Sequence, residues 1–574
     1  MERPKRLDAE DIGPEDTFEG DYGRLLARVF EKAGAPCRIR TCDLLVRSQT
    51  LYPAELRARK TGKAINYTIP VRLYSDHCSH LTSFFSLGDD MRKLMILVLA
   101  VATAMVSAAC SRPAGTLEAA TTALGATELR SIEYSGTGTW FQFGQSPSPT
   151  LPWPQFDVSS FTATVDYQTP GARIQMTRSQ TVEPGRVRPA PVEQRPVQIV
   201  SGAFAWNMAG TPPAPQPQPA ALEERAMEIW TTPQGFLKAA AANNATSQTS
   251  DGGSDVTFTA DGHRYVGRIS AQSQVVRVES WIDNPVLGDT SVVFDYSDYR
   301  DFGGVMFPGH IVRTQGGYPV LDITVSAVTA NPMLDLQVPE AVRSFTPPAV
   351  TVTVSKLANG VYYMTGGSHH SVAIDQADHI VVIEGPQNEA RSDAVIAKVK
   401  ETIPNKPIRY LINTHAHFDH LGGVRTYVDE GATIVTQATN RAYYEQAWAM
   451  PRTIAPDRLA KSAKSATFET VTGKHVLTDG RRSIEMHEIA GSGHNDAFML
   501  VYLPAEGIVF ESDAFTPPAP NTPPPASVNP YSVNLNENIQ RLKLNVRQFA
   551  PGHGPGVATM ADLKAAITPR AATN

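Results

Sequence analysis

The chain has 574 residues, of which 42% are hydrophobic and 19% charged. A single core rarely grows past about 250–300 residues, so this length predicts two folded domains with additional segments. The formal net charge of -6 gives no support for nucleic-acid binding, which shows as a basic face or stripe. The four cysteines, Cys37, Cys42, Cys78 and Cys110, all lie ahead of the two expected domains, which excludes a disulfide framework or a thiolate metal ligand in either.

Residues 1–90 begin acidic, over 8–21, and turn basic in Cys37-Arg-Ile-Arg-Thr-Cys42. No second cysteine pair of suitable spacing follows, so these two residues do not make a metal site. The stretch 37–57 resembles translated non-coding sequence found fused ahead of unrelated bacterial proteins. Residues 1–90 are read as such an extension, or as disordered, with Met91 as the start.

Residues 91–110 have a short basic beginning (Arg92, Lys93), an apolar run from Leu94, and small residues at Ser107, Ala108 and Ala109 before Cys110. This is the layout of a secretory signal, and the run is short for a membrane span of about 20 residues. Ser107-Ala-Ala-Cys110 resembles a bacterial lipoprotein signal, with Ser107 where that signal has Leu, Val or Ile. The resemblance implies export, to the periplasm or to a bacterial membrane through a lipidated Cys110.

Residues 111–343 form the first expected domain. A helix-like segment, 114–129, precedes runs such as Phe161-Thr-Ala-Thr-Val-Asp-Tyr167 and Val275-Val-Arg-Val-Glu-Ser-Trp281, whose alternation predicts a mainly antiparallel sheet with one solvated face. The Pro-rich stretches 146–154, 186–196 and 211–219 read as exposed excursions between strands. The order, a short helix and then many strands after a lipoprotein-like signal, resembles the half-barrel lipoprotein-carrier domains of bacterial envelopes. Two roles stand open: an apolar-ligand groove, or a structural module that positions the second domain. The structural role is favoured, since fold analogy supplies no function. Pro332, Pro339, Pro347 and Pro348 mark the linker.

In residues 344–574 the decisive segment is 407–423. A buried-type strand, 408–412, runs into a loop bearing His415, His417, Asp419 and His420, then Gly422 and Gly423. Four candidate ligands in six residues suit Zn²⁺, which takes about four N and O donors where no thiolate is available. The glycines let the next helix approach the sheet. Downstream, His494 follows Ala490-Gly-Ser-Gly, Asp513 ends Ile508-Val-Phe-Glu-Ser-Asp513, and His553 follows Phe549-Ala-Pro-Gly. Each lies after an apolar strand-like run, where α/β folds place functional groups. His475 and His487 read as structural or solvated.

The segment resembles the His-x-His-x-Asp-His signature of the metallo-β-lactamase superfamily. Leu357-Ala-Asn-Gly-Val-Tyr-Tyr-Met364 matches its opening strands, and Asp378-His-Ile-Val-Val-Ile-Glu384 matches the strand before its first helix. The resemblance implies an αβ/βα sandwich after the β-rich domain. It also implies one metal on His415, His417 and His494, a second on Asp419, His420 and His553, and Asp513 bridging them.

The implied activity is an exported metal-dependent hydrolase of small molecules. Two zinc ions, or iron or manganese, would activate hydroxide against a lactone, thioester, ester or β-lactam carbonyl, with Asp419 orienting water and moving a proton. His369, His370 and Asn495 are candidates for the pocket wall, as are 439–445 and the Met450-Pro-Arg loop. Only about forty residues separate Asp513 from His553, too few for the inserted domain of many nucleases of the superfamily. The alternatives are a mononuclear iron sulfur-dioxygenase and a non-catalytic envelope lipoprotein that binds apolar ligands.

Overall fold

The computed structural model describes residues 115–568 apart from 521 and 523–526, all within the unit Ala104–Asn574. The extension 1–90 and the signal-like run to Cys110 lie outside the described residues. No described helix is long and apolar enough to cross a membrane.

The first described element is the helix Leu117–Ala123, capped by the Thr116 side chain, which accepts from the Ala119 N–H at 3.1 Å. Thirteen strands then form one sheet, antiparallel throughout, as the alternating runs predict. Within Val275–Asn284, for instance, Val278, Ser280 and Ile282 are buried while the residues between them are not, the two-residue period of a half-buried strand. The first strand, Ser131–Phe141, sits mid-sheet, between Gln155–Asp166 and the last strand, Tyr318–Ala330.

The helices Leu222–Ile229 and Pro233–Ala242 cover the apolar face. Phe236 and Leu237 are fully buried there, and the Phe236 ring lies 5.2 Å from Phe258. A cavity of ≈ 40 Å³ lies beside the helix Leu222–Ile229, lined among others by Tyr134, Val165 and Phe294.

Two of the Pro-rich stretches depart from the sequence expectation. Residues 211–219 supply the edge strand Ala214–Pro217, where proline removes no needed ladder bond. Residues 146–154 are not a free excursion: Pro147, Ser148, Trp153 and Pro154 are buried, and Pro147 and Trp153 meet Asp496 and Phe418 of the following domain.

That domain is two facing sheets. The larger contains Thr353–Ala358, Val361–Thr365, Ser371–Asp375, Ile380–Ile383, Ile408–Ile412, Thr433–Gln437 and Phe468–Val471, parallel from Ile380 onward. The smaller contains Lys474–Thr478, Ser483–Glu488, Met499–Leu503, Ile508–Glu511 and Gln548–Pro551. Their inner faces meet through Val372, Ile374, Val381, Ile383, Met499, Val501 and Phe510, all inaccessible to solvent. Helices Glu389–Thr402, Val424–Glu430 and Asn440–Trp448 cover one outer face, and Pro530–Arg541 with Met560–Ala566 covers the other. Strands buried on both faces need continuous apolar runs, and Ile380–Ile383 is one. Gly422 packs on the loop ahead of the helix Glu389–Thr402: a Cβ there would meet the Gln387 carbonyl oxygen at 2.0 Å.

Arg452 ties the domains together. Its guanidinium donates to the carbonyls of Val286 (2.8 Å), Pro285 (3.0 Å) and Asn284 (3.3 Å). The Met450-Pro-Arg loop, expected at the substrate pocket, thus carries at Arg452 a fastening to the β-rich domain. A cavity of ≈ 1040 Å³ opens beside it, lined among others by His263, Trp281, Tyr318 and Tyr443.

Candidate metal centre

Every candidate ligand of the second domain sits at one edge of the sandwich, just past a strand. His415 and His417 follow Ile408–Ile412, and Asp419 and His420 lie in the short helix Phe418–Leu421. His494 is in the turn before Met499–Leu503, Asp513 follows Ile508–Glu511, and His553 follows Gln548–Pro551.

The side chains form two groups. Ligand atoms of His415, His417, His494 and Asp513 lie within 4.8 Å of one another, and so do those of His369, Asp419, His420 and His553. Asp513 reaches both. Its Oδ2 is 2.9 Å from His494 Nε2, 3.1 Å from His415 Nε2 and 3.2 Å from His420 Nε2, while Oδ1 is 2.7 Å from His553 Nε2.

Burial decides the charge states. It pushes His415 down to about 4, helped by the neighbouring His420, and holds His417 well below the usual histidine range. Both rings are therefore neutral near pH 7, the form that ligates metal. Burial opposes charge on His420 and Asp513 too, but their mutual attraction outweighs it. The His420 ring is held well above its ordinary value and the Asp513 carboxyl well below.

One ring nitrogen each of His417, His553 and His420 is occupied, and this orients the other nitrogen of each ring. His417 Nε2 meets the Ser146 carbonyl at 2.9 Å, so it carries the proton; buried Nδ1 has no partner. His553 Nδ1 meets the Ser368 carbonyl at 3.0 Å, and His420 Nδ1 meets Glu384 Oε2 at 3.1 Å. Their Nε2 atoms face each other at 3.2 Å, and those of His415 and His494 at 3.3 Å. Ring nitrogens gathered this closely around one carboxylate form donor groups that could hold a cation. An all-nitrogen and oxygen donor set of this kind fits zinc, and iron or manganese as well.

The supports are built from buried polar residues. Glu384, at a backbone φ of 68°, accepts from the Thr414 N–H at 2.7 Å besides meeting His420. A non-glycine residue held in the left-handed region is a strain that clusters at functional sites. Glu511 accepts from the N–H groups of Ala514 and Phe515, each at 2.9 Å, and so pins the turn that carries Asp513. Burial pushes its carboxyl up to about 8.

The three residues expected at the pocket wall divide. His369 Nε2 is 3.2 Å from Asp419 Oδ2, and its ring centre is 4.3 Å from that of His553, so it joins the second group as an additional candidate ligand. His370 turns away, pairing with the Gly554 carbonyl at 2.9 Å. Asn495 is fully buried and donates to the Ser146 carbonyl at 3.0 Å, a brace and not a wall. His475 pairs with Glu469 and His487 with Glu485, away from the centre. Tyr444 packs beneath the site and donates to Asn413. Sequence reading missed Gln145 and Ser146 entirely. Gln145 Nε2 donates to Asp419 Oδ1 at 2.8 Å, and nothing in a Pro-rich stretch some 270 residues upstream signals it.

The family model described as "Metallo-beta-lactamase superfamily" matches residues 364–553. Among solved structures, the chain is similar to the metallo-β-lactamase from Hirschia baltica at 22% identity, over 38% of this chain and 99% of that one, with a TM-score of 0.29. FIM-1 from Pseudomonas aeruginosa, in its mono-zinc form, matches at 21% identity over 38% and 95%, TM-score 0.30. The metallo-β-lactamase from Pontibacter korlensis matches at 17% over 38% and 97%, TM-score 0.29. No curated protein matches the chain. The domain that follows the thirteen-stranded sheet has the metallo-β-lactamase fold.

Proposed function

We propose that this domain is a metal-dependent hydrolase holding two zinc ions and cleaving a carbonyl-type bond, in a lactone, thioester, ester or β-lactam of a small molecule. The observation that carries the reading is the pair of donor groups sharing Asp513, with imidazole nitrogens converging in each. His415, His417 and His494 would hold one ion, Asp419, His420 and His553 the other, and Asp513 would join them. Bound there, zinc supplies Lewis acidity toward a carbonyl oxygen and toward water. Asp419 would orient the attacking water and hold the proton at Oδ2 on its way to the leaving group. Burial opposes charge on its carboxyl, but His369 and His420 hold it well below the carboxylate range, so it stands as an anion able to accept a hydrogen bond from that water. The chain would work outside the cytoplasm, in the periplasm or held at a bacterial membrane through Cys110, which fractionation and fatty-acid labelling would test.

Metal analysis of the purified chain, followed by turnover on lactone, thioester, ester and β-lactam substrates, tests the reading. Two zinc ions and one active class are expected, and Asp419→Ala should abolish turnover. Full turnover in that variant would sink the assignment. A single bound iron would favour oxidation of a sulfur substrate instead.

A further inference from the structure

The loop 142–154 leaves the thirteen-stranded sheet between its first two strands and lies across the metal centre of the other domain. Four consecutive residues each bond to an element of that centre. The Gly144 carbonyl accepts from the Phe418 N–H at 3.0 Å, and Gln145 Nε2 donates to Asp419 Oδ1 at 2.8 Å. The Ser146 carbonyl accepts from His417 Nε2 at 2.9 Å and from Asn495 at 3.0 Å, and the Pro147 carbonyl accepts from the Asp496 N–H at 2.7 Å. Gly144 has φ +77° and faces Phe418, where an added Cβ would sit 2.6 Å from the ring. Phe143 and Trp153 close edge-on around Phe418 at 5.2 and 6.0 Å, and Trp153 stacks on Tyr318 of the sheet at 4.5 Å.

Two of these bonds act on candidate ligands. The Ser146 carbonyl holds the proton of His417 on Nε2 and so leaves the Nδ1 lone pair facing the first group. Gln145 holds one oxygen of Asp419 and so turns the other, Oδ2, toward His369 and His420, at 3.2 and 3.8 Å. With its side chain 39% exposed, Asp419 is held in rotation by the bonds its two oxygens make.

We propose that the upstream β-rich domain is a working part of the metal centre, with Gln145 a positioning residue for Asp419 and the Ser146 carbonyl setting the tautomer of His417. The proposal rests on the metal-dependent reading above. It assigns the upstream domain a role in ion affinity beyond simple attachment.

The test uses the full chain. Gln145→Met keeps the length of the side chain and removes the donor. Arg452→Met, at the same domain interface but away from the ligands, is the control. Zinc binding is followed by competition with a chromophoric chelator, and folding by thermal melting. Gln145→Met should weaken the second ion by about tenfold or more, the usual range for a lost outer partner of a ligand, with the first ion unchanged. Arg452→Met should lower the melting temperature without separating the two ions. Equal affinities in wild type and Gln145→Met would overturn the role of Gln145 while leaving the hydrolase reading in place. A wild-type chain that binds no zinc would overturn both. Independently of any folding defect in a variant, nitrogen-15 spectra of histidine-labelled, metal-free wild type should show His417 protonated at Nε2. Protonation at Nδ1 would overturn the role of Ser146.

Discussion

The two domains bury polar groups in opposite ways. The β-rich domain pairs its central buried charges and hydroxyls within itself: Arg313 lies between Glu224 and Glu228, and the hydroxyls of Tyr167 and Tyr296 reach Thr232 and the Thr231 carbonyl. Its core is otherwise apolar and aromatic. The metallo-β-lactamase domain instead drives His415, His417, His420, His494 and Asp513 into one edge, with ring nitrogens facing each other. Burying charge is costly unless it is matched. One domain matches its buried Arg313 with its own carboxylates, and the other gathers donors that could hold cations.

The sharpest way to break this comparison is to remove the metal. Saturating zinc at about a thousand times Kd should stabilise the chain by roughly 4 kcal/mol over the chelated form. Asp513→Ala should erase most of that difference, read by melting with and without chelator. Equal stability in the two forms would mean that the converging ligands are matched without an ion.

Phe236→Ala tests the other side. Emptying this fully buried site should cost about 3–5 kcal/mol in denaturant unfolding. A single transition, with loss of zinc at the same midpoint, is expected if the domains are coupled through loop 142–154. A separate early transition with zinc retained would divide them.

Arg452→Met should cost about 1–3 kcal/mol by leaving the carbonyls of 284–286 without their charged donor. The measurement is again the denaturant midpoint.

A smaller effect depends on pH. Asp457 is half-buried; burial opposes its charge, yet Arg425 and the Ala460 N–H hold its carboxyl below the ordinary value. A depressed folded pKa contributes stability that is present above the unfolded value of about 3.9 and is lost as pH falls through the folded one. Asp457→Asn should therefore be less stable than wild type at neutral pH, with the gap closing below about pH 4. Smallest of all, Arg186→Ala breaks the pairing with the half-exposed Asp496 and should cost no more than about 1 kcal/mol in the same unfolding measurement.

Much of the second domain was legible because its signals are local. Four donors in six residues after an apolar strand need no partner to be read, and His494, Asp513 and His553 each repeat the strand-then-donor pattern. Alternation likewise gave the antiparallel sheet. Legibility failed where meaning came from distant contact. His369 and His370 share one turn, and only the fold decides that the first faces Asp419 and the second the Gly554 carbonyl. Arg452 reads as a pocket residue until its carbonyl partners across the interface are seen. Residues 146–154 read as exposed because proline and serine mark loops, and composition cannot say what a loop leans on.

The pairing of the first strand with the last, Ile132 opposite Ala330, also sets an order of events during synthesis. The sheet can close once Ala330 has emerged, with the bracing loop already made and every candidate metal ligand still to come. Domains fold from the amino end as they are made. Loop 142–154 thus stands anchored at both ends when His417 and Asp419 arrive, a template waiting for them. His553 comes last of the candidate ligands, so the second donor group is completed only once it has been made.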